Sequence, residues 1–232
     1  MAVALITGGS KGLGRALAAE LLRRGWAVVI DARDAAALQS TATSLGTEGR
    51  LVAVAGDVTD PGHRRALLSA AEGLGGLDLV VNNASTLGST PMPALGDYPL
   101  DELRRVYEVN VVAPLAVIQD ALPLLRQSSD PRVVNVSSDA AVEPYEHWGG
   151  YGSSKAALDQ LTAVLAAEEP GLAVYAVDPG DMRTEMHQAA FPGADISDRP
   201  EPEAVVPALL RLIATRPPSG RLRAADLAGT AA

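Results

Sequence analysis

The chain has 232 residues, a net charge of −9, a pI of about 4.8 and no cysteine. Acidity on that scale argues against nucleic acid or an anionic membrane as a partner. The lack of cysteine excludes disulfides and thiol chemistry and fits a reducing compartment, and the length suits one α/β domain over residues 1–232 with a substantial core.

Short apolar, β-branched runs alternate with longer amphipathic stretches, the pattern of repeated βαβ units in a doubly wound parallel sheet with helices on both faces. Strands are expected at 2–6, 27–31, 51–55, 78–82, 132–136 and 172–177, with a weaker one near 221–225. Helices are expected at 12–24, 34–45, 61–74, about 100–126, 151–168 and 203–215. The Pro-rich stretch at about 185–202 reads as an irregular loop over a ligand crevice. The opening run Ala2–Ile6 is too short for a signal peptide, and no apolar run approaches the roughly 20 residues that span a bilayer. A soluble, cytoplasmic protein is expected.

Two stretches carry chemistry. Thr7-Gly8-Gly9-Ser10-Lys11-Gly12-Leu13-Gly14 follows the first strand and opens the first helix. Glycines there let the backbone turn sharply and approach a pyrophosphate, which a helix N-terminus stabilises; a plain strand-to-helix turn would use glycine too. Further on, Tyr151 and Lys155 lie four residues apart, on one face if the segment is helical. A phenol titrates near 10, and an ammonium beside it favours the phenolate. Chance alone puts such a pair in about 4% of shuffled sequences. Lys155 is nevertheless one of only two lysines, and a site that keeps Lys where Arg is the rule wants a compact point charge.

Around these stretches, in order, stand Asp57-Val58, Asn82-Asn83-Ala84, Asn110, Val136-Ser137-Ser138 and Pro179-Gly180 with Thr184, and Ser138 precedes Tyr151 by 13 residues. In this set, and along essentially its whole length, the chain resembles the short-chain dehydrogenase/reductase family in its classical branch. The resemblance implies a Rossmann-like fold and hydride transfer between nicotinamide and a carbonyl/alcohol pair, with a small molecule as substrate. It implies Tyr151 as general acid/base, Lys155 on the nicotinamide ribose, Ser138 on the substrate oxygen, and Asn110 in a proton relay. It also implies a cofactor site built from Gly8, Ser10, Lys11, Gly12, Leu13, Gly14, Arg33, Asp57, Val58, Asn83, Ala84, Pro179, Gly180 and Thr184, together with Tyr151 and Lys155. A strand-end hydroxyl satisfying a turn is the bland alternative for Ser138. Asp57 could accept from an adenine amino group or cap the next helix, where Asp60 is the better candidate. A nucleotide-binding sensor on the same fold is the alternative from another class, although relatives of that kind usually lose the Tyr or Lys.

Cofactor choice turns on the second strand's end, Ile30-Asp31-Ala32-Arg33. The resemblance puts Ala32 where NAD-preferring members carry an acid and Arg33 where NADP-preferring ones carry a base. Lys11 also suits a 2′-phosphate, while Asp31 should be directed to the opposite side of the strand. NADP is favoured, with NAD possible. In the long middle helix Pro114 cannot donate to the carbonyl of Asn110, so a bend is expected there, leaving that carbonyl for an ordered water.

Substrate contacts are expected from two loops. Residues 139–150 offer Tyr145 and Trp148, with Glu143 or Glu146 to attract a cation, and the 185–202 loop offers Met186, His187 and Phe191. His147 and His187 lack partners in sequence for a metal site, so no metal is assigned. The helices at 100–126 and 151–168 carry more apolar residues than one core stripe needs, which suggests a homodimer or homotetramer face.

Overall fold

The structure is a computed structural model and describes residues 1–46 and 49–228. Seven strands form one wholly parallel sheet in the order β3-β2-β1-β4-β5-β6-β7. They are β1 Val3–Ile6, β2 Ala27–Ala32, β3 Leu51–Ala55, β4 Leu79–Asn82, β5 Arg132–Val136, β6 Ala173–Asp178 and β7 Gly220–Arg223. Between them run α1 Gly12–Arg23, α2 Ala35–Leu45, α3 Pro61–Gly73, α4 Leu100–Tyr107, α5 Ala113–Leu125, α6 Gly149–Glu168, α7 Glu185–Ala190 and α8 Val206–Thr215, and α9 Ala224–Ala228 follows β7.

The inner strands are mostly apolar because both faces of the sheet are covered, with polar residues such as Asp31, Asn82 and Asp178 towards their carboxyl ends. Side-chain alternation sends Ala4 and Ile6 into one core with α1 and α8, and Val3 and Leu5 into the other with α3 and α5. Each fully buried Leu, such as Leu17 or Leu67, contributes about 1.5–3 kcal/mol. Asp34 caps α2 through the N–H groups of Ala36 and Ala37 at 2.9 and 3.0 Å, and Asp60 caps α3 through that of Gly62 at 2.8 Å. Strand order reverses at β1, which is flanked by β2 and β4. The carboxyl ends of these strands therefore open on a crevice, where ligands of such sheets bind.

Several elements differ from expectation. The helix expected at 100–126 is α4 and α5 joined by a π turn over Glu108–Val112, in which Ala113 N–H bonds the carbonyl of Glu108. Pro114 has no N–H for Asn110, and the chain answers by widening its register instead of merely bending. This rod, Leu100–Leu125, is long and apolar enough by length and composition alone to cross a membrane, although Glu108, Asn110, Gln119 and Asp120 interrupt its apolar residues; 44% of its most apolar window is buried inside the fold. The stretch expected to be irregular from 185 holds α7, capped by the Thr184 hydroxyl accepting His187 N–H at 3.1 Å. Helix α6 starts two residues before Tyr151, at Gly149.

Candidate active site

The reacting end is built on the first turns of α6. A side chain at Gly150 would strike the Tyr98 ring, and one at Gly152 would come within 2.5 Å of the Ala140 carbonyl, so glycine lets α6 press against both. Tyr151 and Lys155 then face inward, 8% and 2% exposed. Lys155 Nζ donates to the Val136 carbonyl at 2.7 Å and lies 5.5 Å from the Tyr151 ring centre. Ser138, just past the end of β5, donates its hydroxyl to Asp139 Oδ1 at 2.9 Å and accepts from Ala140 N–H at 3.2 Å.

Burial pushes the Tyr151 phenol up to about 12; the hydroxyls of Ser138 and Ser85 beside it pull the other way, and the charges of Asp139 and Asp178 push it further up. Burial likewise pushes Lys155 down to about 8, against the pull of Asp159. The expected lowering of Tyr151 by Lys155 therefore does not appear, and desolvation favours the neutral form of both groups.

Asn110 is fully buried, and its amide is spent on four bonds. Oδ1 accepts from Thr86 N–H at 2.8 Å and from Ser85 Oγ at 3.1 Å, while Nδ2 donates to the Thr86 carbonyl at 2.8 Å and Ser154 Oγ at 3.0 Å. The side chain therefore ties the segment after β4 to α6. Asn82 braces β5, donating to Asn135 Oδ1 at 2.8 Å.

Sequence reasoning missed Arg221 on β7. Its guanidinium donates to the Ser138 carbonyl at 3.0 Å and to Asp159 at 2.9 Å, and lies 3.6 Å from Asp178. Asp159 was findable, four residues beyond Lys155 on the same helix face. Arg221 was not, because only strand order brings β7 beside β6. Burial raises the Asp178 carboxyl, opposed by the Gly180 N–H that it accepts at 2.9 Å.

At the nucleotide end, Asn83 Nδ2 donates to the carbonyls of Thr7 and Gly8 at 2.9 and 3.0 Å, and the Thr7 hydroxyl accepts from the Asn83 and Ala84 N–H groups, both at 3.0 Å. A side chain at Gly14 would come within 2.5 Å of the Gly8 carbonyl. Gly12 turns with φ +54°, a conformation costly for other residues, and among the described residues no side chain caps the α1 N-terminus, whose Gly12 and Leu13 line the cleft. Asp31 is buried, with Oδ1 accepting from Gly8 N–H at 2.7 Å and Oδ2 3.0 Å from His63 Nε2. Arg33 is exposed at the cleft's far end, and Lys11 pairs with Glu185. Asp57 is no helix cap; Oδ1 takes both the N–H and hydroxyl of Thr59, at 2.9 and 2.8 Å. Burial would raise its carboxyl, but those bonds, with the charges of Arg33 and His63, hold it below the usual range.

One cleft of about 850 Å³ joins these parts. Gly8, Ser10, Lys11, Gly12, Leu13, Arg33, Asp57, Val58, Asn83, Ala84, Pro179, Gly180 and Thr184 line it, and so do Ser138, Tyr151, Lys155, Trp148 and Met186. A glycine turn too tight for side chains, an uncapped helix start and basic groups at the far end together fit a dinucleotide. Gly14 supports the turn from behind. Tyr145 is not among the lining residues; it packs edge-on to Trp148 at 6.1 Å and donates to Asp139 Oδ2 at 2.9 Å. Glu143 and Glu146 are exposed and stand outside the cleft lining.

The comparisons with known proteins agree with this architecture. The family model described as short chain dehydrogenase matches residues 2–195. A rhamnolipid-biosynthesis 3-oxoacyl-[acyl-carrier-protein] reductase of Pseudomonas aeruginosa is 39% identical over 192 residues, 79% of this chain and 74% of the relative. Sepiapterin reductase of Mus musculus is 37% identical over 203 residues, 82% of this chain and 77% of the relative. A short-chain dehydrogenase of Shigella flexneri, solved as a complex with NADP, is similar in structure with a TM-score of 0.88 at 27% identity, covering 97% of each chain. The chain belongs to the short-chain dehydrogenase family, the NAD(P)-dependent oxidoreductases of carbonyl and alcohol groups.

Proposed function

We propose that this protein is an NADP-linked carbonyl reductase acting on a small molecule, with Tyr151 as its acid. The observation that carries the reading is a buried phenol flanked by Ser138 and Ser85, with Lys155 one helical turn below it. The nicotinamide, when bound, supplies the hydride to the carbonyl carbon. The carbonyl oxygen takes the Tyr151 proton, so C=O becomes CH–OH and one NADPH and one proton are consumed. Ser138 orients the substrate oxygen, and Lys155 holds the nicotinamide ribose and restores the proton to Tyr151. Asn110 acts as a positioning residue, and the carbonyl that Pro114 leaves without its helical donor is suited to hold a water on the proton route. A phenol whose proton is held to about pH 12 serves reduction better than oxidation near neutrality.

The preference for NADP rests on three residues. Arg33 and Lys11 supply cations for a 2′-phosphate. Asp31, the acid that would accept from the ribose, is only 2% exposed and is held by the Gly8 N–H and His63. That a related structure was solved with NADP points the same way. On its acidity and lack of cysteine the protein is read as cytoplasmic. Exposed Val112 and Val164, on the rod and on α6, suit pairing with a second copy.

The test is loss of NADPH absorbance against a panel of aldehydes and ketones, repeated with NADH. Turnover with a lower KM for NADPH is expected; binding of NADPH with no turnover on any carbonyl would support a sensor instead, and a clear NADH preference would overturn the cofactor assignment.

A further inference from the structure

Hydride transfer to a carbonyl does not call for a carboxylate next to the reacting oxygen, yet this cleft has one. Asp139 lines it directly after Ser138. Three bonds fix the carboxylate: Oδ1 accepts from Ser138 Oγ and Ala140 N–H at 2.9 and 2.8 Å, and Oδ2 from the Tyr145 hydroxyl at 2.9 Å. Asp139 thus stands one hydroxyl away from where the substrate oxygen meets Ser138 and Tyr151. Its charge opposes the negative charge that grows on that oxygen unless the substrate brings a cation of its own.

The other charges near Asp139 are largely paired with one another. Asp178 and Asp181 line the cleft but lie 3.6 and 3.4 Å from Arg221 and Arg199. Arg183 is paired with Glu201 and Lys155 is buried on the Val136 carbonyl, so among the described residues Asp139 is left without a cation of its own. Trp148 lines the cleft too, held edge-on to Tyr151 at 5.8 Å and against Phe191 at 5.7 Å, an indole that can meet an ammonium. Glu143 and Glu146 do not line the cleft, so the cation attraction expected of them passes to Asp139.

We propose that Asp139 is the specificity residue of the substrate pocket, and that the preferred substrates are ketones carrying a protonated amine two or three bonds from the reacting carbon. This rests on the reading of Tyr151 and Ser138 as the reacting end. An amine so placed bonds the carboxylate while its charge offsets the growing oxyanion. Ketones bearing a carboxylate in that position are disfavoured.

The experiment compares kcat/KM for matched ketones of equal shape, aminoacetone against 2-butanone and 2-amino-1-phenylethanone against propiophenone, with NADPH. The protonated amine of each pair is expected to be preferred at least tenfold, the worth of one charge-assisted bond. Asp139→Asn should cut that preference about tenfold, while the Kd for NADPH, read by fluorescence, stays within twofold and reports an intact fold. Glu143→Gln with Glu146→Gln should leave the ratio unchanged. A wild-type ratio near one, or an unchanged ratio in Asp139→Asn, overturns the proposal even if other ketones are reduced. The wild-type ratio decides without any variant. No turnover on any carbonyl would instead overturn the underlying reading of the reacting end, and this proposal with it.

Discussion

At the reacting end of the cleft Tyr151, Lys155 and Asn110 are 8%, 2% and 0% exposed, and the side chains of Lys155 and Asn110 are bonded to backbone carbonyls. At the adenosine end Arg33 stands in solvent, and Lys11 shares an exposed ion pair with Glu185. The difference teaches where chemistry and selectivity are stored. Burial retunes groups, as the values of about 12 for Tyr151 and about 8 for Lys155 illustrate, and it makes each neighbour matter. It also costs stability. Moving Lys155 from 10.5 to about 8 costs about 3 kcal/mol, in full below pH 8 and relieved as pH rises towards 10.5. Exposed charges act through weaker, screened interactions, so the adenosine end should tolerate change.

That contrast can be broken by substitution. Tyr151→Phe should lower kcat for NADPH-dependent reduction about 1,000-fold with the NADPH Kd little changed; near-wild-type turnover would remove Tyr151 from the chemistry. Lys155→Arg keeps the charge but puts a planar fork where one ammonium meets the Val136 carbonyl, so a loss of about 100-fold is expected. An active Lys155→Arg enzyme would reduce the pair to a packing contact. Arg221→Met should cost about tenfold in kcat with KM for NADPH unaltered, because it frees the Ser138 carbonyl. It should also shift the alkaline limb of the pH profile upward, since Asp159 is then released to hold the Lys155 proton; Arg221→Lys should restore part of both. At the exposed end, Arg33→Ala should raise KM for NADPH about fivefold and leave KM for NADH alone. Equal changes for both cofactors would deny Arg33 a phosphate.

The fold was legible because each inner strand is a short apolar run between turn signals, and the seven runs sit within about two residues of their expected places. The Tyr151/Lys155 spacing and the glycine turn were legible for the same local reason. What failed was non-local. Pro114 announced a disturbed helix, but whether the chain bends or widens depends on the packing of Asn110 against Thr86 and Ser154. Thr184 and Glu185 are a cap and a first-turn acid, yet the prolines downstream hid α7. The direction of the Tyr151 shift depended on desolvation, which a Lys four residues away does not reveal. Arg221 and Asp139 gained their neighbours only once the strands were laid side by side.

The central claim is that Tyr151 enters the reaction protonated, above a Lys155 that must carry charge. The pH dependence of kcat/KM for reduction, followed from pH 6 to 10, tests it most directly. Lys155 is charged below about 8 and neutral above, and Tyr151 keeps its proton throughout, so activity should hold on the acid side and fall as pH rises through about 8. Reduction that climbs through that range would mean the phenolate is the working form, and would contradict the account.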